Sequence, residues 1–307
     1  MLDARVIENV SEVPATFEPE TQPRRVPDAR VLMVDPEHYD VVYAINPHME
    51  EEGELRRPDR AEARRQWESL RRAYEVLGYE VVEMPGEPGL PDMVFVANVA
   101  VTVGPLAGRP PRAVMSRMAC PERERELVPA RKTLAELGLE IVEPELPEGV
   151  HLEGHGDLLW FSNIALLFGG HGFRTDRAAL DAVAALVEVP VLGLRLVDPL
   201  FYHLDTCLMP LDETRAAWVP DAFDERGRAL LERVVPKLIE VPGEEAATRL
   251  AANGHCVDGR NVIIDAGATR TMEILEAEGF AVHPVDTSEY LKAGGSVFCM
   301  KLMLPPA

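Results

Sequence analysis

A helix-then-strand unit returns five times along this chain, and that repetition restricts the folds open to it. The unit reads EVLGYEVVEMP from Glu75, AELGLEIVEPE from Ala135, ALVEVPVLGLRL from Ala185, LLERVVPKLIEVP from Leu230 and EAEGFAVHPVD from Glu276. Each copy is a helical tail, usually a break or a glycine, and then a β-branched strand. The copies start about 45 to 60 residues apart, the spacing of an array of supersecondary units. Helical periodicity is clearest in RAEARRQWESLRRAYEVLG and ERERELVPARKTLAELG, where apolar residues recur at three- and four-residue steps. The glycines that follow are in place for C-caps. Between the copies lie pairs of short strands: MVFVANVAVTVG with RAVMS, DLLWF with IALLFGG, DTCLMPL with RAAWVP, and HCVDG with NVIID. The fifth pair joins VFCMKLML at the end of the chain to RVLMVD near its start. The expected fold is α/β, a five-bladed propeller with pseudo-five-fold repeats, its two ends meeting in one blade. Residues 30–307 form this single domain, and residues 1–29 are expected to be a flexible arm.

In such a ring, equivalent positions converge on one axis. Each strand pair opens on an ionisable or amide side chain: Asn98, then Glu153 with Asp157, His203 with Asp205, Asn253, and Cys299. A constellation scattered over 200 residues can thus meet at one site. FYHLDTC places His203 and Asp205 two apart, on one face if that segment is a strand. An imidazole beside a carboxylate suits proton transfer near neutral pH. LEGHGDLLWF sets Glu153 and Asp157 around a Gly-His-Gly turn, where two carboxylates could hold a cation. KAGGSVFCMKLML puts Cys299 after a Gly-Gly turn. A cysteine is usually a buried small hydrophobe, and Cys120, Cys207 and Cys256 are read that way. Cys299 becomes a nucleophile only with a partner that stabilises its thiolate; a cationic substrate would serve. Asp92 precedes an apolar strand containing Asn98, and Asn46 stands before Pro47. Arg117 and Arg174 lie near strand ends, in place to clamp a carboxylate or to make surface ion pairs.

The composition removes several alternatives. A formal net charge of -21 over 307 residues repels nucleic acid and anionic membrane surfaces. No apolar run reaches the length of a bilayer span, and the first residues lack a signal peptide's apolar stretch. The four cysteines are far apart, which argues for reduced thiols and a cytoplasmic protein. His155 has no second ligand at metal-binding spacing, so no metal site is expected.

Taken together, INPHME, PDMVFVAN, EGHGD, GFRTD, FYHLDT and YLKAGG followed by Cys299 resemble the guanidine-modifying superfamily. This group includes arginine deiminases, dimethylarginine dimethylaminohydrolases, amidinotransferases and arginine dihydrolases. The likeness runs from about Val31 to Leu304. It implies a five-bladed α/β propeller, Cys299 as nucleophile, and His203 as general acid and base. It further implies Glu153 and Asp205 as carboxylates on a guanidinium, and Arg117 and Arg174 beside the amino-acid head group; Asn46, Asp92, Asn98 and Asp157 complete the candidate set. The partner would be a small guanidino compound, with no cofactor, and the oligomeric state is left open. Dimethylarginine dimethylaminohydrolases typically carry Lys where this chain has Asp205, and deiminases and amidinotransferases carry Asp where it has Asn98. Asn98 together with Asn46 looks like an arginine dihydrolase. Citrulline-forming hydrolysis, amidino transfer and a non-catalytic binder remain the alternatives. His155 and Phe298 are departures expected to lie near the site.

Overall fold

A computed structural model describes residues 1–106 and 108–306. Among the described residues five sheets share one strand order and sense, and a two-stranded hairpin, Glu50–Glu51 with Glu54–Leu55, stands apart. In the second, Ala100–Val103 runs antiparallel to Arg112–Met115, which runs parallel to Glu140–Val142. The third is Leu158–Trp160, Leu167–His171 and Val191–Arg195. The fourth is Leu208–Pro210, Arg215–Trp218 and Lys237–Glu240, and the fifth is His255–Cys256, Asn261–Asp265 and Ala281–Val285. The first takes Leu302–Leu304 from the end of the chain and pairs it, Leu302 opposite Leu32, with Arg30–Val34, itself parallel to Glu80–Met84. The strand pairs and the joined ends are those expected from the repeats, and the fold is the propeller-like α/β architecture they imply.

A helix connects the second and third strands of every blade: Arg60–Val76, Leu127–Glu136 (preceded there by the short helix Pro121–Glu124), Arg177–Val187, Glu225–Val234 and Thr269–Ala277. A parallel strand pair needs such a crossover. Asp59 caps the first of these helices by accepting from Ala61 N and Glu62 N, which satisfies two otherwise orphaned donors. Its Ala63, Gln66, Trp67, Leu70 and Tyr74 are buried, the stripe of a helix with one face on the core. Past its end Gly78 sits at φ 89°, a left-handed conformation that closes the helix at little cost to glycine. Gly138 and Gly279 repeat the device, while in the third blade Glu188 takes the left-handed position itself. Among the described residues, no helix is long and apolar enough to cross a membrane.

The N-terminal segment, expected to be a flexible arm, lies packed on the third blade. Val6–Ile7 adds a parallel fourth strand to the third blade, Val6 opposite Val191 and Ile7 opposite Leu192. Leu2, Val6, Ile7, Val13 and Phe17 are all buried. An uncovered blade edge presents unpaired backbone groups, and this segment pairs them while burying its few apolar side chains. Its acidic, proline-containing composition conceals that role.

Candidate active site

The segments converge because two glycines permit close approach. In the turn Gly154–Asp157, a Cβ on Gly154 would stand 2.7 Å from the carbonyl oxygens of Asn98 and Ala100. One on Gly156 would stand 2.2 Å from Asn98 Nδ2 and 3.3 Å from the His203 ring. No larger residue fits between those segments. The turn therefore packs directly under Asn98 and His203.

A small cavity opens above, lined in part by Asn46, Asp92, Asn98, Arg174, His203 and Cys299. Its free space is only about 10 Å³, room for roughly one water. Glu153, Asp157 and Asp205 stand one layer behind. His203 donates through Nε2 to Glu153 Oε2 at 2.7 Å, which leaves Nδ1 without a hydrogen-bond partner among the described residues. Glu153 also accepts from Ala119 N at 2.9 Å and from Arg174 at 3.4 Å. Burial pushes the Glu153 carboxyl up, but His203 and the nearby arginines outweigh it and hold the group well below the usual carboxylate range. In this arrangement Glu153 orients the imidazole.

Cys299 is buried in the turn that precedes the last strand. Its thiol donates to Asp205 Oδ2 at 3.1 Å. Asn253 braces it: the side-chain Nδ2 donates to Cys299 Sγ at 3.2 Å and to Asp205 O at 2.9 Å, while Oδ1 accepts from Ser296 N at 3.1 Å. Burial, and then the Asp205 carboxylate, push the Cys299 thiol well above its ordinary value. Burial also pushes Asp205 up to about 7, against the opposing hydrogen bonds from Cys299 and Asn253. The resting site thus holds a neutral thiol, and a cation brought beside Asp205 and Cys299 favours the ionised form of both.

Several buried oxygens have nothing to accept. Among the described residues Asp92 Oδ1, Asp157 Oδ2 and Asp205 Oδ1 have no partner, nor has the donor Asn98 Nδ2. Unpaired buried polar atoms are costly, so a cluster of them marks where a polar ligand would be bound. Asp92 Oδ2 accepts from Tyr43 at 2.7 Å.

Two of the candidate arginines separate. Arg174 lines the cavity, donates to Ile45 O at 2.5 Å and stacks 4.9 Å from the Tyr202 ring. Arg117 does not: its guanidinium donates to the carbonyls of Leu146, Pro147 and Val150, tying down a loop away from the cavity. Arg123, which no sequence motif singles out, reaches the cavity instead. This buried side chain is forked onto Glu126 and donates through Nη1 to Asn98 Oδ1 at 2.7 Å. In sequence it reads as one more charged residue of a surface helix, so no local signal distinguishes it. Asp157 is also displaced from its expected role: it accepts from Leu204 N at 3.0 Å and holds the turn carrying His203. That turn, Leu204–Thr206, is a 3-10 helix and not a strand, so His203 and Asp205 reach the site from a tight turn. Asn46 lines the cavity but spends its side chain on His48 N and Ala293 O. His155 and Phe298 lie on the wall of a different cavity.

A raised carboxyl makes stability depend on pH. Burial holds Asp205 at about 7 in the fold, well above the usual carboxylate range, so the native state binds the proton more tightly. Its contribution is present at low pH and is lost as pH rises through about 7. Asp205→Asn is expected to raise the melting temperature relative to wild type by a margin that widens from about pH 5 to about pH 8. A constant or narrowing margin in calorimetric scans would contradict this assignment.

Five repeated α/β blades beside a buried Cys, His and carboxylate cluster are the propeller-like architecture of the guanidine-modifying hydrolases. The chain belongs to the dimethylarginine dimethylaminohydrolase family: residues 42–304 match the family model described as N,N dimethylarginine dimethylhydrolase, eukaryotic. It is 37% identical over 284 residues to the N(G),N(G)-dimethylarginine dimethylaminohydrolase of Mycobacterium tuberculosis, covering 92% of this chain and 88% of that protein. It is 34% identical over 277 residues to the bifunctional arginine dihydrolase/ornithine cyclodeaminase ArgZ of Synechocystis sp.. That match covers 90% of this chain but only 37% of ArgZ, so the chain spans little more than a third of that relative. The crystal structure of the N-terminal domain of ArgZ, a cysteine-to-serine mutant bound to substrate, superposes with a TM-score of 0.82 at 33% identity, covering 91% of this chain and 98% of that one. An asparagine-to-serine form of the same domain, covalently bound to a reaction intermediate, matches with the same TM-score.

Proposed function

We propose that this chain hydrolyses the guanidinium of L-arginine twice, giving ornithine, carbon dioxide and two ammonia, through a covalent adduct on Cys299. The observation that carries this reading is the state of Asn98. Arg123 is a pure donor, so the atom it contacts at 2.7 Å is the amide oxygen. The Asn98 Nδ2 donor is left buried with no partner among the described residues.

Arginine brings the charge the site lacks. Its guanidinium satisfies Asp205 Oδ1, and its positive charge favours the thiolate, so the Cys299 proton passes to the free Nδ1 of His203 while Nε2–H stays on Glu153. The thiolate attacks the guanidinium carbon, and His203, through Nδ1, protonates the departing ammonia. Water, deprotonated by His203, then releases citrulline in the site. Citrulline presents a neutral ureido oxygen where an NH2 had been. A carboxylate at position 98 would face that oxygen acceptor to acceptor and favour its release. The Asn98 amide instead donates to it, which retains citrulline and polarises the carbon for a second attack. Arg174 and Asp92 are the groups that would meet the amino-acid head, with Asn46 holding the adjoining wall through His48 N and Ala293 O. The capture of ArgZ as an asparagine-to-serine intermediate and as a cysteine-to-serine substrate complex supports pairing an asparagine with a cysteine in such a reaction.

Mass spectrometry of the products tests this. Ornithine with two ammonia per arginine is the expected result. Asn98→Asp keeps the acceptor that Arg123 needs and replaces only the donor, so it should shift the product toward citrulline while sparing the first step. A native enzyme that stops at citrulline, or that ignores arginine and hydrolyses methylarginine, would reject the two-step reading.

A further inference from the structure

A second, larger cavity of about 310 Å³ shares no lining residue with the first, and its volume is within the range of small-molecule sites. Cys299 faces one cavity, while its neighbours Phe298 and Lys301 face the other. Lys301 is only 2% exposed, and its ammonium rests 3.1 Å from the centroid of the Phe298 ring. Among the described residues it makes neither a hydrogen bond nor an ion pair. A buried ammonium without an anion is expensive, and burial accordingly lowers Lys301 to about 7. Arg25 adds a second cation, stacked 4.9 Å from the Trp160 ring and paired with Asp28 at 2.6 Å. The remaining wall includes Tyr79, Leu159 and Met303, which offer apolar surface, and Asp258, whose carboxylate already accepts from Arg260 N and from Asn261. His155 supplies no charge, because burial lowers it to about 3.

We propose that this cavity is a second ligand site, for a small carboxylate with an apolar or aromatic body, whose carboxylate pairs with Lys301. The acid supplies the counter-charge the lysine lacks, and its body covers the apolar wall. A cationic ligand is opposed by Lys301 and Arg25, and a neutral one leaves the ammonium unpaired. Asp28 is already engaged by Arg25 and does not reach Lys301.

Calorimetric titration of the full chain with benzoate, benzamide, benzylamine and acetate tests the site directly, without reference to turnover. Benzoate should bind at least about tenfold more tightly than benzamide or acetate, the scale of one buried charge-assisted hydrogen bond, and benzylamine should not bind. Lys301→Met should abolish benzoate binding, and Cys299→Ala should leave it unchanged. Asn163→Trp, at the cavity wall, should block entry and covers the case in which Lys301→Met fails to fold. Absence of benzoate binding, equal binding of benzamide, or binding that survives Lys301→Met or Asn163→Trp would overturn the proposal. Loss of binding in Cys299→Ala would overturn it too, by locating the acid in the first cavity. None of these outcomes depends on whether arginine is the substrate.

Discussion

Cys299→Ser is expected to abolish turnover, with a loss on the order of 10⁴-fold or more, as for removal of an enzyme nucleophile, while the fold survives. The thiol is buried and donates to Asp205 at 3.1 Å, so it reacts only after a cation arrives and favours its thiolate. A serine hydroxyl fills nearly the same space and can make the same hydrogen bond, which preserves packing. Its far higher pKa, however, places its anion beyond the reach of a bound guanidinium. The other cysteines lack this setting. Cys207 is buried with its thiol on the carbonyls of His203 and Leu204, and Cys256 lines the second cavity. Serine at Cys120, Cys207 or Cys256 should therefore leave kcat within a few-fold of wild type. Steady-state kinetics and mass spectrometry of trapped protein check both halves. An active Cys299→Ser protein, or an adduct on a peptide without Cys299, would remove the nucleophile assignment.

His203→Ala is expected to lower kcat by about 10²- to 10⁴-fold, the span of general acid-base groups. Glu153 fixes the imidazole through Nε2 at 2.7 Å, so Nδ1 is the nitrogen left for the leaving group and for water. No other imidazole lines that cavity. Glu153→Gln weakens the orientation and the stabilised imidazolium but leaves the imidazole in place, so its loss should be severe yet smaller. Single-turnover experiments separate the steps. With His203→Ala, the adduct should form slowly and then persist, because both ammonia departure and water attack lack their proton carrier. Turnover near the wild-type rate would reject this role.

The repeat pattern was legible because each blade is local: strand, strand, helix and strand follow within one unit, and their periodicity survives in the residues. The motifs around Asn98, Glu153, His203 and Cys299 stood out for the same reason, since each precedes a strand pair, and the fold brings them to or just behind one cavity. Arginines were not legible. Their long side chains place the charge several ångströms from the backbone, so sequence position does not decide where the guanidinium ends. Arg117 reaches loop carbonyls, whereas Arg123, six residues on, reaches Asn98.

The sequence by itself determined the five units, the pairing of the chain's ends and the set of chemical groups that meet on the axis. Each of these follows from periodicity and from the equivalence of repeats. Only the tertiary structure decided the environment of those groups. It set the Asn98 amide by the donor behind it, engaged Glu153 with His203, buried the Cys299 thiol against Asp205, and turned Lys301 away from Cys299 into a separate cavity. Hydrogen-bond partners and burial depend on contacts between blades distant in sequence, and no local pattern encodes them.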